Sequence, residues 1–416
     1  MLRYLILVVE ALIVTAVTSG MLYAYVGKIG NKTGKRVLQV GTAVGFLSAV
    51  AFAIVKNNTN KIHTGMWNLW IFLGMSISVL GFMLSTIKGI RKKIPAGPGI
   101  WAALIVFTSI FYTFPDVLNY PFTFNLSGAS ILSTAFFSRF VGWISGWLIA
   151  LLVFLSMKHL CSNISQNLVC GILDVVLVLI ASSRMIRGLD TLRVSRVITD
   201  KTLAHNIFIA AKFVNNQSDL FIYLTLLLTV CIPMIMFIRS FRITESYKNP
   251  AEKRKLVAAN MKNRRWSIVL ILCYVVTVLC LTWFTAISNQ VVELSPIEDS
   301  VVKDVTVWVS FEQVADGHLH RFAWTSENGV QIRFIVIKKP NSSSYGVGLD
   351  ACDICGETGY YEKGGKIVCK LCDVVMNINT IGFKGGCNPK VIDYRIENGY
   401  IIVPTSTLLE HEKDFK

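Results

Sequence analysis

Cys352-Asp-Ile-Cys355 and Cys369-Lys-Leu-Cys372 are two C-x-x-C pairs, and Cys387 follows in the run Gly385-Gly386-Cys387-Asn388-Pro389. The full pattern is C-x2-C-x13-C-x2-C-x14-C. Each pair makes a tight turn that aims both sulfurs inward, so four thiols can converge on one tetrahedral ion. The same spacing suits an iron–sulfur cluster. Three chemistries therefore stand side by side: a cluster or thiolate-bound redox metal (iron or copper), a structural zinc ribbon, and disulfides in an oxidising compartment. An odd fifth thiol makes complete pairing within this region impossible.

His318 and His320 flank Leu319 in a run that alternates like a strand, which directs both imidazoles to one face. Two imidazoles so placed can bind copper or iron, and are a candidate cofactor-binding pair; an exposed polar pair is the simpler reading.

The rest of the chain decides where such a site resides. Of its 416 residues 53% are hydrophobic and only 16% charged, where a soluble chain carries about 25% charged residues. Mean hydropathy is +0.55. The expected architecture is an all-α polytopic membrane bundle of about eight spans, over residues 1–289. A small β-rich extracytoplasmic metal-binding domain follows over residues 290–416. Apolar segments long enough to cross a bilayer lie at about 2–26, 37–55, 66–87, 99–114, 136–157, 167–183, 219–238 and 266–286. The fourth and sixth are short. No cleavable signal precedes the first, which reads as a retained helix from Leu2.

The formal net charge of +16 resides mostly in loops, which argues against nucleic acid as a partner. Lys28, Lys32, Lys35 and Arg36 occupy the first loop, and Lys88, Arg91, Lys92 and Lys93 the third. The seventh is richest, running from Arg239 to Arg265, whereas the fourth, from Asp116 to Phe136, has no Lys or Arg. Odd loops are then cytoplasmic and both chain ends lie outside. One stretch dissents: Arg184 to Lys212 is basic yet falls outside by alternation. An amphipathic interfacial helix, with Leu189, Leu192 and Arg196 a turn apart, would reconcile it.

Within the spans, Gly41/Gly45 and Gly142/Gly146 are small-xxx-small pairs that let helices approach closely. Cys161, Cys170, Cys231, Cys273 and Cys280 read as small apolar fillers. Glu10 and Asp174 lie inside the first and sixth spans, where a charge costs about 2.5–3.5 kcal/mol. Each either serves a cation or proton pathway or pins helices as a neutral acid. The segment around Glu10 resembles the first helix of high-affinity iron permeases, with Ile6 and Leu7 where their Arg-Glu-x-x-Glu motif has Arg and its first Glu.

In the tail, Val305 to Phe311 alternates as a strand, and Leu319 to Trp324 with Val330 to Ile337 reads as a hairpin across the two-residue turn Asn328-Gly329. Val347 to Leu349 and Tyr400 to Val403 are further short strands. A core this small calls for a staple such as a metal.

At this point the tail resembles a known family. Asp316-Gly-His-Leu-His-Arg-Phe322, Val330-Gln-Ile-Arg-Phe-Ile-Val336, Leu349-Asp-Ala-Cys-Asp-Ile-Cys355, Gly359-Tyr-Tyr361, Val368-Cys-Lys-Leu-Cys372, Ile378-Asn-Thr-Ile-Gly382 and Gly385-Gly-Cys-Asn-Pro389 carry it. Together they look like the bacterial family of iron–sulfur-containing membrane proteins, a domain of unknown function found with iron-uptake permeases. The resemblance implies a component of an iron-uptake system in the bacterial inner membrane, beside an iron permease and a periplasmic metal-binding protein. It implies metal or cluster binding at Cys352, Cys355, Cys369 and Cys372, with Cys387 a further participant.

Three functions follow as expectations: an electron-transfer or metal-handling membrane protein, an ion-conducting permease using Glu10, and a thiol–disulfide oxidoreductase using a C-x-x-C pair. No nucleotide-binding glycine loop, HExxH helix or nucleophile elbow supports a hydrolase or ATPase.

Overall fold

A computed structural model describes residues 2–59, 64–124, 134–243, 246–288, 293–340, 342–353, 355–363, 365–371, 374–383 and 388–415. The chain divides into two compact units, a helical one of Met1–Thr123 with Ile131–Asn289 and a second that contains Gln290–Lys416. Each is built by its own logic.

Eight helices of the first unit are long and apolar enough to cross a membrane. They are α1 (Leu2–Ile29), α2 (Lys32–Asn58), α3 (Thr64–Thr86), α5 (Gly97–Thr123), α6 (Thr134–Ser162), α7 (Gln166–Val194), the pair α9 (Ser218–Thr229) and α10 (Cys231–Arg239), and α11 (Pro250–Leu279) with its continuation to Ser288. A short α4 (Lys88–Lys93) precedes α5, and α8 (Lys201–Asn216) precedes α9. The chain is thus a multi-pass membrane protein. Outward residues such as Leu47, Leu80, Leu151 and Val175 are exposed and apolar, the surface that lipid contacts.

Helix α1 is the centre of the bundle, packing along α6 and touching α5 and α7. Its approach to α6 depends on Gly146, where an added Cβ would meet Val8 Cβ at 2.6 Å. Likewise a Cβ on Gly41 would meet Ala103 Cβ of α5 at 2.8 Å. Close backbone approach is what small residues supply in lipid, where apolar burial drives no association.

Several spans differ from their expected ends, each for a local reason. The fourth runs through Pro115 and Pro121 rather than stopping at residue 114, because membrane helices tolerate proline when neighbours satisfy the freed carbonyls. The seventh is broken at Val230, three residues before Pro233, which offers no N–H to the Thr229 carbonyl. The eighth begins at 250, since Asn249 Oδ1 accepts from Glu252 N–H at 2.8 Å, Glu252 Oε2 accepts from Lys248 N–H at 2.7 Å and Pro250 opens the helix.

The sixth span continues past Arg184 to Val194, which corrects the expected amphipathic segment. Leu189 and Leu192 belong to the end of α7. The amphipathic helix is α8, capped by Asp200 and burying Ile207, Ala211 and Val214. One of the dissenting charges is explained. Arg184 is only 8% exposed, its Nη1 3.0 Å from Met75 Sδ and its guanidinium 4.8 Å over the Tyr112 ring. It turns into the bundle and is no loop residue.

In the tail, β1 (Val301–Lys303), β2 (Thr306–Ser310), β10 (Tyr400–Pro404) and β9 (Arg395–Glu397) form one antiparallel sheet in that order. A second joins β3 (His320–Thr325), β4 (Gln331–Lys338) and β5 (Tyr345–Leu349). A third joins β6 (Tyr360–Lys363), β7 (Lys366–Cys369) and β8 (Val375–Met376).

Strand β4 feeds two cores. Ile332, Phe334 and Val336 pack with Val307, Val309 and Ile401, while Ile335 and Ile337 pack with Leu319, Tyr360, Ile367, Cys352 and Cys369. Burial on both faces is why its apolar run does not alternate with polar residues. The β3–β4 turn is longer than expected. Thr325 pairs with Gln331, so five residues connect the strands. Buried Glu412 draws the loop inward, accepting from Ser326 Oγ at 3.1 Å and Asn328 Nδ2 at 3.0 Å. Gly329 still supplies the positive φ, at +79°.

Candidate metal centre

The first C-x-x-C pair closes on itself before any ligand is considered. Cys352 N–H donates to Gly356 O at 3.1 Å, and Gly356 N–H donates back to Cys352 O at 3.0 Å. Gly356 makes this possible with φ at +66°. Inside the loop, Cys355 N–H points at Cys352 Sγ from 3.1 Å, a donor that favours thiolate character. Asp353 is held to the outside by Lys390 Nζ at 3.2 Å. Lys390 also binds Asp414 at 2.8 Å, and that hydrogen bond foremost raises its pKa.

Cys369 arrives from a different element. It ends β7, pairs with Tyr360 of β6, and donates its N–H to Val374 O at 3.0 Å. The next residue, Lys370, donates its N–H to Gly359 O at 3.0 Å. The sulfurs of Cys352, Cys355 and Cys369 lie within 4.8 Å of one another. Cys352 and Cys369 are buried and Cys355 is half-buried, so the sulfur cluster opens on the Cys355 side. Apolar walls come from Leu319, Ile335, Tyr360 and Ile381. Cys372 and Cys387, the other expected ligands, lie outside the described residues.

This donor set fits a thiophilic metal. A metal–sulfur bond of about 2.3 Å in tetrahedral geometry places sulfurs about 3.8 Å apart, which the 4.8 Å limit accommodates. Carboxylates and waters, which harder ions require, are not among the three converging ligand atoms.

The two histidines do not alternate along one strand as their spacing suggests. Strand β3 begins at His320, so His318 precedes it rather than alternating along it. Exposed His318 sets Nδ1 3.0 Å from Glu362 Oε1, a hydrogen bond that raises its pKa. His320 is engaged at both ring nitrogens, Nδ1 to Glu298 at 2.9 Å and Nε2 to Asp316 Oδ1 at 2.7 Å. Burial works against its charge, yet those two carboxylates prevail and raise its pKa. A metal at His320 would have to displace a carboxylate first.

Nor do the membrane acids gather at one point. Glu10 on α1 feels Asp219 of α9 and Arg187 of α7 as its charged neighbours. Asp174 Oδ2 lies 3.5 Å from Cys170 Sγ, and its buried Oδ1 has no partner among the described residues.

What residue types alone do not reveal is the network behind the cysteines. Asp350 is fully buried and Arg321 is 1% exposed. Asp350 Oδ2 accepts from Arg321 Nε at 2.8 Å and Arg333 Nε at 3.4 Å, and its Oδ1 accepts from Tyr360 N–H at 2.9 Å. The only sequence signal is an acid two positions before Cys352 and an arginine inside an apolar strand.

No curated protein and no solved structure matches this chain. Residues 314–415, which hold Cys352, Cys355 and Cys369 and the strands that present them, match the model of a family described as membrane iron–sulfur containing protein, FtrD-like.

Proposed function

We propose that this protein carries a thiolate-bound iron centre, an iron–sulfur cluster in the sense of its family, on a tail outside the cytoplasm. It serves as the electron-transfer and metal-handling component of an iron-uptake system in a bacterial inner membrane. The carrying observation is the convergence of three cysteine sulfurs within 4.8 Å. Cys372 and Cys387, by spacing, complete the donor set. The basic odd-numbered loops support an external tail. An iron permease and an external metal-binding protein are the partners this reading assigns.

A thiolate-ligated iron centre supplies one-electron exchange at a potential set by hydrogen bonds and exposure. The chain's own residues make that setting. Cys355 N–H donates to Cys352 Sγ. Ile335, Tyr360 and Ile381 wall off water, and half-buried Cys355 gives the edge from which an electron leaves or enters.

The same convergence admits a second reading. Sulfurs this close also fit a single tetrahedral ion, including structural zinc. Full-length protein purified anaerobically in detergent decides between them. Stoichiometric iron with visible absorption that dithionite bleaches, lost in Cys352→Ser and Cys369→Ser, is the expected result. A colourless protein holding only zinc would overturn the redox assignment. Glu10→Gln distinguishes the permease reading, which requires uptake to stop while the tail keeps its metal.

A further inference from the structure

The two cysteine-bearing segments come from different parts of the tail, and backbone pairing alone does not join them. Cys352 follows β5 through Asp350 and Ala351, whereas Cys369 closes β7, which is paired to β6. One side chain touches both. Asp350 Oδ1 takes the Tyr360 N–H at 2.9 Å, and Tyr360 is the residue paired with Cys369. The second oxygen takes Arg321 Nε at 2.8 Å, and Arg321 Nη2 donates in turn to the Tyr360 carbonyl. Arg321 Nη1 reaches Ser295 Oγ at 2.8 Å, which anchors the guanidinium from its far side.

The neighbourhood is shaped around that carboxylate. Gly359, at φ +82°, leaves so little room that a Cβ there would meet Asp350 Oδ2 at 2.9 Å and Oδ1 at 3.1 Å. Its carbonyl meanwhile receives Lys370 N–H, beside Cys369. Asp350, Arg321, Tyr360 and Gly359 thus form a closed circuit whose two exits are Cys352 and Cys369.

We propose that Asp350, held by Arg321, is the positioning residue of the thiol pocket: it fixes the Cys352–Cys355 turn against the β6–β7 hairpin so that the sulfurs converge before a metal arrives. Groups that hold metal ligands in place cost about ten- to a hundredfold in metal affinity when removed. A free carboxylate on an ordinary loop would not do this. Here it is fully buried two residues before Cys352, one oxygen takes the Tyr360 N–H of the hairpin, and the other takes Arg321, which itself donates to the Tyr360 carbonyl.

The metal arm of the test rests on the thiolate reading above; the thiol arm does not. In full-length protein retaining only Cys352 and Cys369, a short bifunctional thiol reagent, dibromobimane, is applied with EDTA present. Efficient bridging is expected, falling at least about tenfold with Asp350→Asn, the lower end of what loss of a ligand-orienting group costs. Because Asp350→Asn strands the Arg321 guanidinium, the double variant Arg321→Met/Asp350→Leu removes both charges together, a change buried pairs often tolerate. It is expected to fold and still to bridge poorly. Val309→Ala, in the other core, is the control for general destabilisation.

In parallel, the otherwise wild-type chain is titrated with Co²⁺ alone, read by thiolate-to-cobalt absorption. Asp350→Asn is expected to weaken binding about ten- to a hundredfold. Unchanged bridging in Asp350→Asn and in the double variant, or an equal loss in Val309→Ala, overturns the positioning role. Absence of Co²⁺–thiolate absorption in the wild type, with bridging still dependent on Asp350, overturns the metal reading and leaves the positioning role standing.

Discussion

His320 Nε2 lies 2.7 Å from Asp316 Oδ1, four residues back along the chain, while Nδ1 of the same ring faces Glu298 at 2.9 Å. A carboxylate on each nitrogen favours the imidazolium form, and the pKa of this ring is raised despite burial. A raised folded-state pKa contributes stability that is complete below the unfolded value of about 6.5 and is lost as pH climbs through the folded value. Thermal unfolding of the tail should therefore move to lower temperature as pH rises from about 6 to about 8. His320→Gln should flatten that slope. Asp316 works in a separate window: its depressed carboxyl contributes above about pH 4 and is lost in acid. A slope unchanged in His320→Gln would refute the assignment.

Gly359 combines a left-handed backbone with a crowded side-chain position. An alanine there meets strain of about 1–3 kcal/mol from φ alone, before any contact is counted. The added methyl also presses on Asp350 Oδ2 and Leu294 Cδ1, each at 2.9 Å. Gly359→Ala should lower the tail's denaturant midpoint by more than Gly365→Ala, which has a similar φ of +71° but nothing within 4 Å. Equal losses in the two variants would mean that the Asp350 contact is unimportant.

Gly146 tests the bundle in the same way. Its missing Cβ would stand 2.6 Å from Val8 Cβ, and α1 is the helix around which α5, α6 and α7 pack. Gly146→Ala should force α1 and α6 apart, seen as a lower melting temperature in detergent and loss of monodisperse protein. Gly171→Ala on α7, with nothing within 4 Å, should leave both measures intact. Indistinguishable variants would argue that the α1–α6 approach is not a determinant of assembly.

How far these features are legible in the sequence depends on whether their cause is local. Eight spans are visible among the described residues because hydropathy is a property of each segment, and the first C-x-x-C turn because Cys352 and Gly356 make its geometry within five residues. Ends are harder. The fourth span passes Pro115 and the sixth passes Arg184, since neighbouring helices, not the segment itself, satisfy what those residues leave open. The Asn328-Gly329 turn lengthens because Glu412 lies 84 residues away in sequence. Asp350 and Arg321, separated by 29 positions, are silent for the same reason. A charged residue reads as solvent-exposed until its partner is known. His318 and His320 show the converse: alternation suggests a shared face, yet three carboxylates, two of them from distant positions, claim the rings.

Arg184 offers the sharpest contest of magnitudes. A guanidinium inside a span costs about 2.5–3.5 kcal/mol. Against this stand the Tyr112 ring at 4.8 Å and Met75 Sδ at 3.0 Å, with no ion pair to Arg184 among the described residues. A desolvated cation–π contact returns about 2 kcal/mol. The two nearly offset, so Arg184→Met, which keeps the aliphatic bulk, should change unfolding stability by no more than about 1.5 kcal/mol. Removing the ring alone is different, because it leaves the charge in place. Tyr112→Leu should therefore cost more than Arg184→Met, and the pair together should cost less than Tyr112→Leu by itself. Melting curves of the three variants in one detergent settle the ordering. A large loss in Arg184→Met would show that the arginine holds a favourable partner beyond Tyr112 and Met75, and that its place on α7 serves more than packing.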